Sequence, residues 1–211
     1  ELLQSPDYDT AQKQTFLSGI DATAKQMRAL VERLLELARA ENEQAAHLFA
    51  PCDFSQITES SALLFEAALF ERGLTLQTEL EPDIAVSGDE RQLSQLVEIY
   101  LDNARKYASG GTVAVRLSRY GKSRCRLSVS NEGAALSAQT LRQIFDRFSR
   151  ADAARTRDGS FGLGLSIAQA IVQTHGGSVW AESAAGVNTF FAEIPMLPGR
   201  EKHQDMPKKG I

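Results

Sequence analysis

Apolar side chains recur at alternating spacings of four and three residues between residues 10 and about 44. This period predicts one long helix whose apolar seam packs against other helices. Further apolar residues recur every seven positions beside the seam, and the broad face that results favours a helix of a bundle. A helix packed on its own globular domain is the alternative. The seam is Phe16, Ile20, Thr23, Met27, Leu30, Leu34 and Leu37, with Thr23 its one polar member, and the flanking positions are Leu17, Ala24, Val31 and Ala38.

A second unit follows a polar stretch at residues 47–52, which Pro51 breaks and which we interpret as a hinge. Asp89 is placed to cap the N-terminus of a helix, and Gly73 to end one. The pattern predicts a helix at about 55–72, strands at 74–80 and 84–87, and a helix from Asp89 to about 108.

Two β-hairpins are predicted further along, at residues 111–131 and 176–195, where apolar and polar residues alternate. Between them, residues 132–161 are polar and weakly patterned, apart from a short helix near 141–148. So long an irregular stretch is typical of a functional loop. Antiparallel strand pairs with three substantial helices predict the α+β class, as a two-layer α/β sandwich.

Composition excludes several kinds of protein. Of the 211 residues 43% are hydrophobic and 24% charged, which is ordinary for a globular protein. The formal net charge of −4 argues against a nucleic-acid partner. No apolar run approaches the ~18 residues of a membrane span. The chain opens on "ELLQSPDYD", which resembles the end of an element, and we therefore expect a piece of a longer protein.

The first chemically suggestive cluster is "IYLDNARKYA" at residues 99–108. Asn103, Lys106 and Tyr107 lie three and four positions apart, on one face of the predicted helix. The amide oxygen suits a hydrated Mg²⁺, the ammonium suits a phosphate, and the ring suits a base. Taken by itself, such a face is more often simply solvated.

Two further clusters follow, "VSNEGAAL" at residues 129–136 and "GSFGLGLSIAQAIV" at 159–172. The amide of Asn131 suits the amino group of adenine, although "NEG" alone is an ordinary turn. Gly162 and Gly164 precede a helix, where exposed backbone N–H groups attract phosphate. A structural glycine turn explains that third cluster equally well.

Together and in this order, the clusters resemble the ATP-binding domain of bacterial sensor histidine kinases. "YLDNARKY" is similar to their N box, "SNEGAA" and "GSFGLGLSIAQAIVQTHGG" to their two glycine boxes, and "IFDRFSRAD" to their F box. The resemblance implies a Bergerat-type ATP-binding domain at 53–196, with an ATP lid at about 132–161. It also implies that residues 1–46 are part of the dimerisation and phosphotransfer domain, and we expect a disordered polar tail at 197–211.

The resemblance implies ATP and Mg²⁺ as ligands and assigns their contacts. Asn103 would be the Mg²⁺ ligand, Lys106 would contact the phosphates and Tyr107 would lie beside the nucleotide. Phe145 and Phe148 would anchor the lid. The implied ATP-binding residues are Asn103, Lys106, Tyr107, Asn131, Gly133, Arg147, Gly162, Leu163, Gly164, Leu165 and Thr189, of which Arg147 reaches a phosphate and Thr189 lies near the adenine.

Three residues depart from the family pattern. Asn131 stands where the family usually has aspartate, which removes a charge and predicts somewhat weaker binding. Ala135 replaces a usual glycine. Ile99 replaces a polar residue that often begins the N box, which affects the expected rate of chemistry more than nucleotide binding.

The implied activity is transfer of phosphate from ATP to a histidine, then to an aspartate on the receiver domain of a response regulator. None of His47, His175 and His203 has the acceptor's "H-E-x-x-x-P" setting, so we expect that acceptor upstream of this sequence. The resemblance further implies a homodimer through the N-terminal helix, in the cytoplasmic portion of a sensor that an upstream segment anchors to the membrane. The alternatives are a weak or inactive ATP-binding regulatory module, or another ATPase or serine kinase of the same superfamily.

Overall fold

The computed structural model describes residues 10–40, 49–149 and 162–198. Its elements are α1 (Thr10–Ala40), β1 (Ala50–Asp53), α2 (Phe54–Phe70), β2 (Thr75–Leu80), β3 (Ala85–Gly88), α3 (Glu90–Tyr107), β4 (Thr112–Tyr120), β5 (Arg124–Glu132), α4 (Ala138–Gln143), α5 (Gly164–Thr174), β6 (Ser178–Ala184) and β7 (Val187–Pro195). None of the helices in these ranges is long and apolar enough to cross a membrane.

Five strands form one sheet in the order β2-β4-β5-β7-β6, and α2, α3 and α5 pack on one of its faces. The strands bury alternate residues against these helices, as at Val113, Val115 and Leu117 of β4. The predicted two-layer α/β sandwich is therefore confirmed. Both predicted hairpins are present, as β4–β5 and β6–β7.

Three details differ from the sequence prediction. The pair β2–β4 is parallel, whereas the sequence analysis named antiparallel pairs and assigned no partner to this strand. Residues 50–52, placed in the hinge, belong to β1, which pairs with β3 in a separate two-stranded sheet. The short helix α4 begins at Ala138 rather than near 141, because Ser137 accepts a hydrogen bond from the Thr140 backbone and caps it.

Most of the apolar seam of α1 is not covered by the described part of the chain. Ile20 is 58% exposed and Met27 is 64% exposed, while Leu37 and Ala40 at the C-terminal end are buried. That end packs against α5, where the Thr174 hydroxyl donates to the carbonyl of Ala40 at 2.7 Å. The last turns of α1 therefore pack on the domain that follows. The rest of the helix leaves its apolar face exposed, as expected for a bundle helix.

His175 joins three elements at the end of α5. Its Nε2 accepts a hydrogen bond from the Asp89 backbone at 3.2 Å, and its Nδ1 lies 2.7 Å from the carbonyl of Ile171. The ring also stacks on Phe49 with centroids 4.3 Å apart. Because Nε2 accepts, the proton of the neutral ring is on Nδ1, which donates to Ile171. The predicted structural role of this histidine agrees with these contacts.

Burial lowers the pKa of His175 below its ordinary value of 6.5, although the bond to Ile171 and the charge of Asp89 oppose the shift. As the pH falls below 6.5, the imidazole is therefore protonated in the unfolded chain while it stays neutral in the folded chain. We expect the contribution of His175 to the free energy of unfolding to be constant above this pH and to fall below it, by up to ~1.4 kcal/mol per pH unit. Urea unfolding between pH 7.5 and 5.5 measures the slope, and His175→Gln, which cannot titrate, should reduce it. Equal slopes in the two proteins would contradict this assignment.

Candidate functional site

Helix α3 begins at a side-chain cap and buries one face against the core. The Asp89 carboxylate accepts from the backbone of Arg91 at 2.8 Å and of Gln92 at 3.3 Å, which caps the N-terminus as predicted. Leu93, Leu96, Val97, Tyr100, Leu101 and Ala104 bury one face of the helix. The opposite side of the helix, from Arg91 to Tyr107, borders a cavity of about 920 Å³ that is also lined by residues of α1, the start of α5 and the ends of β5 and β7. We call this cavity the α3–α5 cleft.

The α3–α5 cleft gathers most of the residues predicted to bind ATP. Its lining includes Asn103, Lys106, Tyr107, Asn131, Gly162, Leu163, Gly164 and Leu165. The residues come from three separate stretches of the sequence, which the fold alone brings together. Their individual roles toward a nucleotide remain predictions.

Lys106 is held by a neighbour on its own helix. Its Nζ lies 2.6 Å from Asp102 Oδ2, and Arg105 contacts the other carboxylate oxygen at 2.7 Å. Burial of Asp102 opposes its ionisation, but the bonds from Lys106 and Arg105 outweigh this, so that the pKa of the carboxyl is lowered. Asp102 therefore remains charged at neutral pH and orients the ammonium group at the edge of the cleft.

Asn131 is the penultimate residue of β5, on the face of the sheet that the helices cover, and it is 2% exposed. Gly133 lies behind it rather than in the lining. A Cβ added at Gly133 would come within 3.2 Å of the carbonyl of Tyr107 and 3.3 Å of the Asn131 amide nitrogen. A glycine at this position therefore permits the chain after β5 to pass close to the end of α3.

Thr189 is not among the described residues that line the α3–α5 cleft, and its place near the adenine stays a prediction. Its hydroxyl lies 3.0 Å from that of Ser130, on the face of the sheet away from the helices. Successive residues of a strand point to opposite faces, and in β7 it is Asn188 that faces inward and lines the cleft. Asn188 is thus the described residue of this pair that borders the cleft.

The return to the core after the predicted lid is built around Gly162, whose φ is +68°. A Cβ there would lie 2.7 Å from the carbonyl of Ser149, so that both backbone conformation and space require glycine. Leu163 follows as the N-cap of α5 and offers no side-chain cap. The first backbone N–H groups of α5 are thus left for another acceptor, as a phosphate-binding helix N-terminus requires.

The remaining described residues of the predicted lid agree with the expectation only in part. Phe145 is buried, in agreement with an anchoring role, whereas Phe148 is 59% exposed and its anchoring role stays a prediction. Arg147 is also exposed and does not line the cleft. Residues 150–161, which hold the rest of the predicted lid, lie outside the described residues.

Ile99 occupies the cleft wall. It is 8% exposed, and a Cβ on Gly164 would lie 3.5 Å from its Cγ2. Ile99 therefore places an apolar side chain in the cleft wall, at a position where the family pattern often has a polar group.

The contribution of α1 to this cavity was not anticipated from the sequence. Arg33 and Glu36 line the cleft, with Arg33 Nη1 2.9 Å from Glu36 Oε2. The same oxygen accepts from Gln95 Nε2 of α3 at 3.1 Å. These contacts between distant segments depend on how α1 docks, and no local pattern could have revealed them.

The metal expectation rests on Asn103 alone. Among the described residues, no group of three or more His, Cys, Asp or Glu side chains is placed to hold a metal ion. Mg²⁺ bound with a nucleotide needs only one or two protein ligands, because phosphates and waters complete its octahedron. A neutral amide oxygen at the cleft fits such a site.

Comparison with known proteins adds independent information. Residues 88–198 match the family described as histidine kinase-, DNA gyrase B-, and HSP90-like ATPase. Sensor protein DltS of Streptococcus agalactiae serotype V is 30% identical over 166 residues, which cover 79% of this chain and 42% of the relative. Signal transduction histidine-protein kinase BaeS of Escherichia coli is 31% identical over 183 residues, covering 85% of this chain and 39% of the relative.

Solved structures share the fold. Full-length ShkA in complex with AMPPNP aligns with a TM-score of 0.73 at 23% identity, covering 94% of this chain and 42% of that one. Mycobacterial sensor histidine kinase MprB aligns with a TM-score of 0.63 at 27% identity, covering 71% of this chain and 100% of that one. The chain thus spans about two fifths of the length of the curated relatives described above.

Proposed function

This chain belongs to the family of histidine kinase-, DNA gyrase B- and HSP90-like ATPases, and on that premise we propose that it is the ATP-binding catalytic part of a sensor histidine kinase. The whole protein would transfer the γ-phosphate of ATP to a histidine and pass it to an aspartate of a response regulator. One observation carries the proposal. The α3–α5 cleft combines an amide oxygen, a lysine and a helix N-terminus without a side-chain cap.

These groups suit a triphosphate. Asn103 would hold Mg²⁺, which neutralises phosphate charge when bound. Lys106 Nζ now lies 2.6 Å from the Asp102 carboxylate. With a nucleotide bound, the ammonium group would also interact with the phosphates. The backbone N–H groups at the start of α5 would donate to phosphate oxygens. In phosphoryl transfer such positioning and charge stabilisation supply most of the catalysis.

The acceptor would be an imidazole from outside the described residues. His175, the one histidine they contain, is buried and bonded to Asp89 and Ile171, so it is not placed to attack a phosphate. In the reaction, an imidazole nitrogen would form a bond to the γ-phosphorus in line with the bond to the β,γ-bridging oxygen. That bond would break to release ADP, and the imidazole proton would pass to solvent.

The exposed seam of α1 supports a homodimer. Phe16, Ile20 and Met27 are 39%, 58% and 64% exposed, and water contact with so continuous an apolar stripe is unfavourable. A second copy of the helix would cover the stripe and complete a bundle. The receiver domain of a response regulator is the further partner proposed, and the cytoplasm, where ATP is available, is the proposed compartment.

The test uses the full natural protein with ATP labelled at the γ-phosphate and Mg²⁺. We expect a protein-bound label that acid removes and alkali does not, which is the behaviour of phosphohistidine. A protein carrying Lys106→Ala should bind ATP more weakly and label more slowly, because it lacks the cation of the cleft. An exposed lysine outside the cleft, at Lys122→Ala, is the matched control and should have no effect.

The apolar wall at Ile99 favours a specific second candidate, a regulatory ATP-binding module without catalysis. This candidate predicts ATP binding by calorimetry with no transfer of label, even at concentrations where the protein is dimeric. Failure of ATP binding itself would contradict both candidates.

A further inference from the structure

The described residues that line the α3–α5 cleft carry no excess of positive charge. A site that attracts a triphosphate by charge alone would have more cations than carboxylates. The carboxylates of the cleft therefore oppose phosphate binding at the same time as they hold its cations. The lining contains the three cations Arg33, Arg91 and Lys106 and the three carboxylates Glu36, Glu98 and Asp102.

Lys106 is the lining cation in the last turn of α3, beside the proposed magnesium ligand. Arg91 lies at the other end of the helix, about 22 Å away along the axis. Arg33 belongs to α1, and its partner Glu36 bonds to Gln95, which precedes Lys106 by about 16 Å along α3. Among the described cations, Lys106 is therefore the one that bound phosphates would meet.

Asp102 divides its two carboxylate oxygens between two cations. Its Oδ1 accepts from Nε and Nη2 of Arg105 at 3.2 and 2.7 Å, and its Oδ2 lies 2.6 Å from Nζ of Lys106. Arg105 therefore holds the carboxylate independently of Lys106. The side chains of Arg105, Asp102 and Lys106 are 34%, 28% and 27% exposed, so water screens their charges only in part.

The ion pair has two opposite effects on Lys106. It fixes a long side chain, and because an ammonium group has three N–H donors, it still leaves donors for a phosphate. It also holds a negative charge 2.6 Å from the ammonium, which offsets much of the attraction that a phosphate would experience. The partial negative charge at the C-terminal end of α3 acts in the same direction. The electrostatic terms favour the restrained position of Lys106 over contact with a phosphate.

We propose that Asp102 is a positioning residue that restrains Lys106 and thereby lowers the affinity of the cleft for nucleotide phosphates. The inference rests on the proposed ATP binding. Asp102 competes with the phosphates for the charge of Lys106, and Arg105 still compensates the carboxylate when the ammonium turns towards a nucleotide. The same competition acts on ADP, so Asp102 also favours release of the product.

The test is calorimetric titration with Mg-ATP and Mg-ADP. Asp102→Asn keeps the shape of the side chain and removes its charge, and it should bind both nucleotides about fivefold more tightly than the natural protein. Asp102→Glu restores the charge and should return both affinities to within about twofold of the natural values. Glu59→Gln is the charge-matched control, since it removes an exposed carboxylate of α2 outside the cleft, and it should leave both affinities unchanged.

A double-mutant cycle with Lys106→Ala tests whether Asp102 acts through the lysine. Adding Asp102→Asn to Lys106→Ala should change the affinity for Mg-ATP by less than about twofold. The reason is that the restrained cation is then absent, while in Lys106→Ala the carboxylate stays compensated by Arg105. A fivefold gain retained without Lys106 would overturn the inference, because it would show direct repulsion between the carboxylate and the phosphates.

Arg105→Gln provides a second variant where Asp102→Asn fails to fold. It leaves the carboxylate to Lys106 alone and should weaken Mg-ATP binding about threefold. Unchanged or tighter binding by Arg105→Gln would overturn the inference, as would unchanged or weaker binding by a folded Asp102→Asn. An equal gain in Glu59→Gln would overturn it too, since net charge would then explain the effect. These results leave the proposed function in place, whereas absence of ATP binding by the natural protein would contradict both.

Discussion

Replacing Asn103 with alanine is expected to lower the affinity for Mg-ATP about 100-fold, the upper range seen when support for a metal site is lost. The reason is that this amide is the one described side chain of the cleft that we assign to the metal, so the substitution removes the only protein contact proposed for the ion. Titration calorimetry with ATP in excess Mg²⁺ measures the effect. The same titration in EDTA should show less than about a threefold difference, because the proposed contact is to the metal and not to the nucleotide.

Gln173→Ala is the matched control for this prediction, since it removes an exposed amide from α5 outside the cleft. Its affinity for Mg-ATP should equal that of the natural protein. An equal loss with and without Mg²⁺ in Asn103→Ala would show that the amide contacts the nucleotide directly. Unchanged affinity in Mg²⁺ would remove the assignment.

Replacing Gly177 with alanine is expected to lower the free energy of unfolding by about 3 kcal/mol or more. A Cβ at Gly177 would lie 2.2 Å from the carbonyl oxygen of Glu193 and 2.6 Å from Cγ1 of Val172. Glu193 belongs to β7, which is paired on both sides, and Val172 belongs to α5, so neither can move without disturbing an element. Urea unfolding followed by circular dichroism measures the change.

Gly121→Ala separates the steric effect from the loss of glycine as such. Gly121 has a φ of +63° in the β4–β5 turn, and a Cβ there would meet nothing within 4 Å. Its substitution should cost only about 1 kcal/mol, the usual penalty of the left-handed conformation. Similar losses in the two variants would contradict the steric explanation for Gly177.

Sequence patterns located the elements whose signals are local. The cap at Asp89 and the alternation in β4 and β5 each lie within a few residues, and the structure has the helix and the hairpin where they were predicted. The start of α4 was also within reach, because Ser137 is an ordinary N-cap residue that the interpretation passed over.

Other features depend on distant segments. The parallel pairing of β2 with β4 joins strands separated by β3 and α3, and alternation within β2 does not state its partner. The outward position of Thr189 has a related cause, because a change of one residue along a strand moves a side chain to the other face. The contribution of Arg33 and Glu36 to the cleft required the docking of α1, which only the folded chain shows.

The contact at the base of the lid has an entropic consequence. The backbone N–H of Phe148 donates to the carbonyl of Gly162 at 3.1 Å, so the two ends of the intervening segment are joined by the fold itself. Bringing the ends of a loop together costs conformational entropy that grows only as the logarithm of loop length. Folding has already brought the two ends together, so ligand binding does not incur this entropy cost again. Changes in the length of the segment should therefore alter the free energy of unfolding more than the nucleotide affinity.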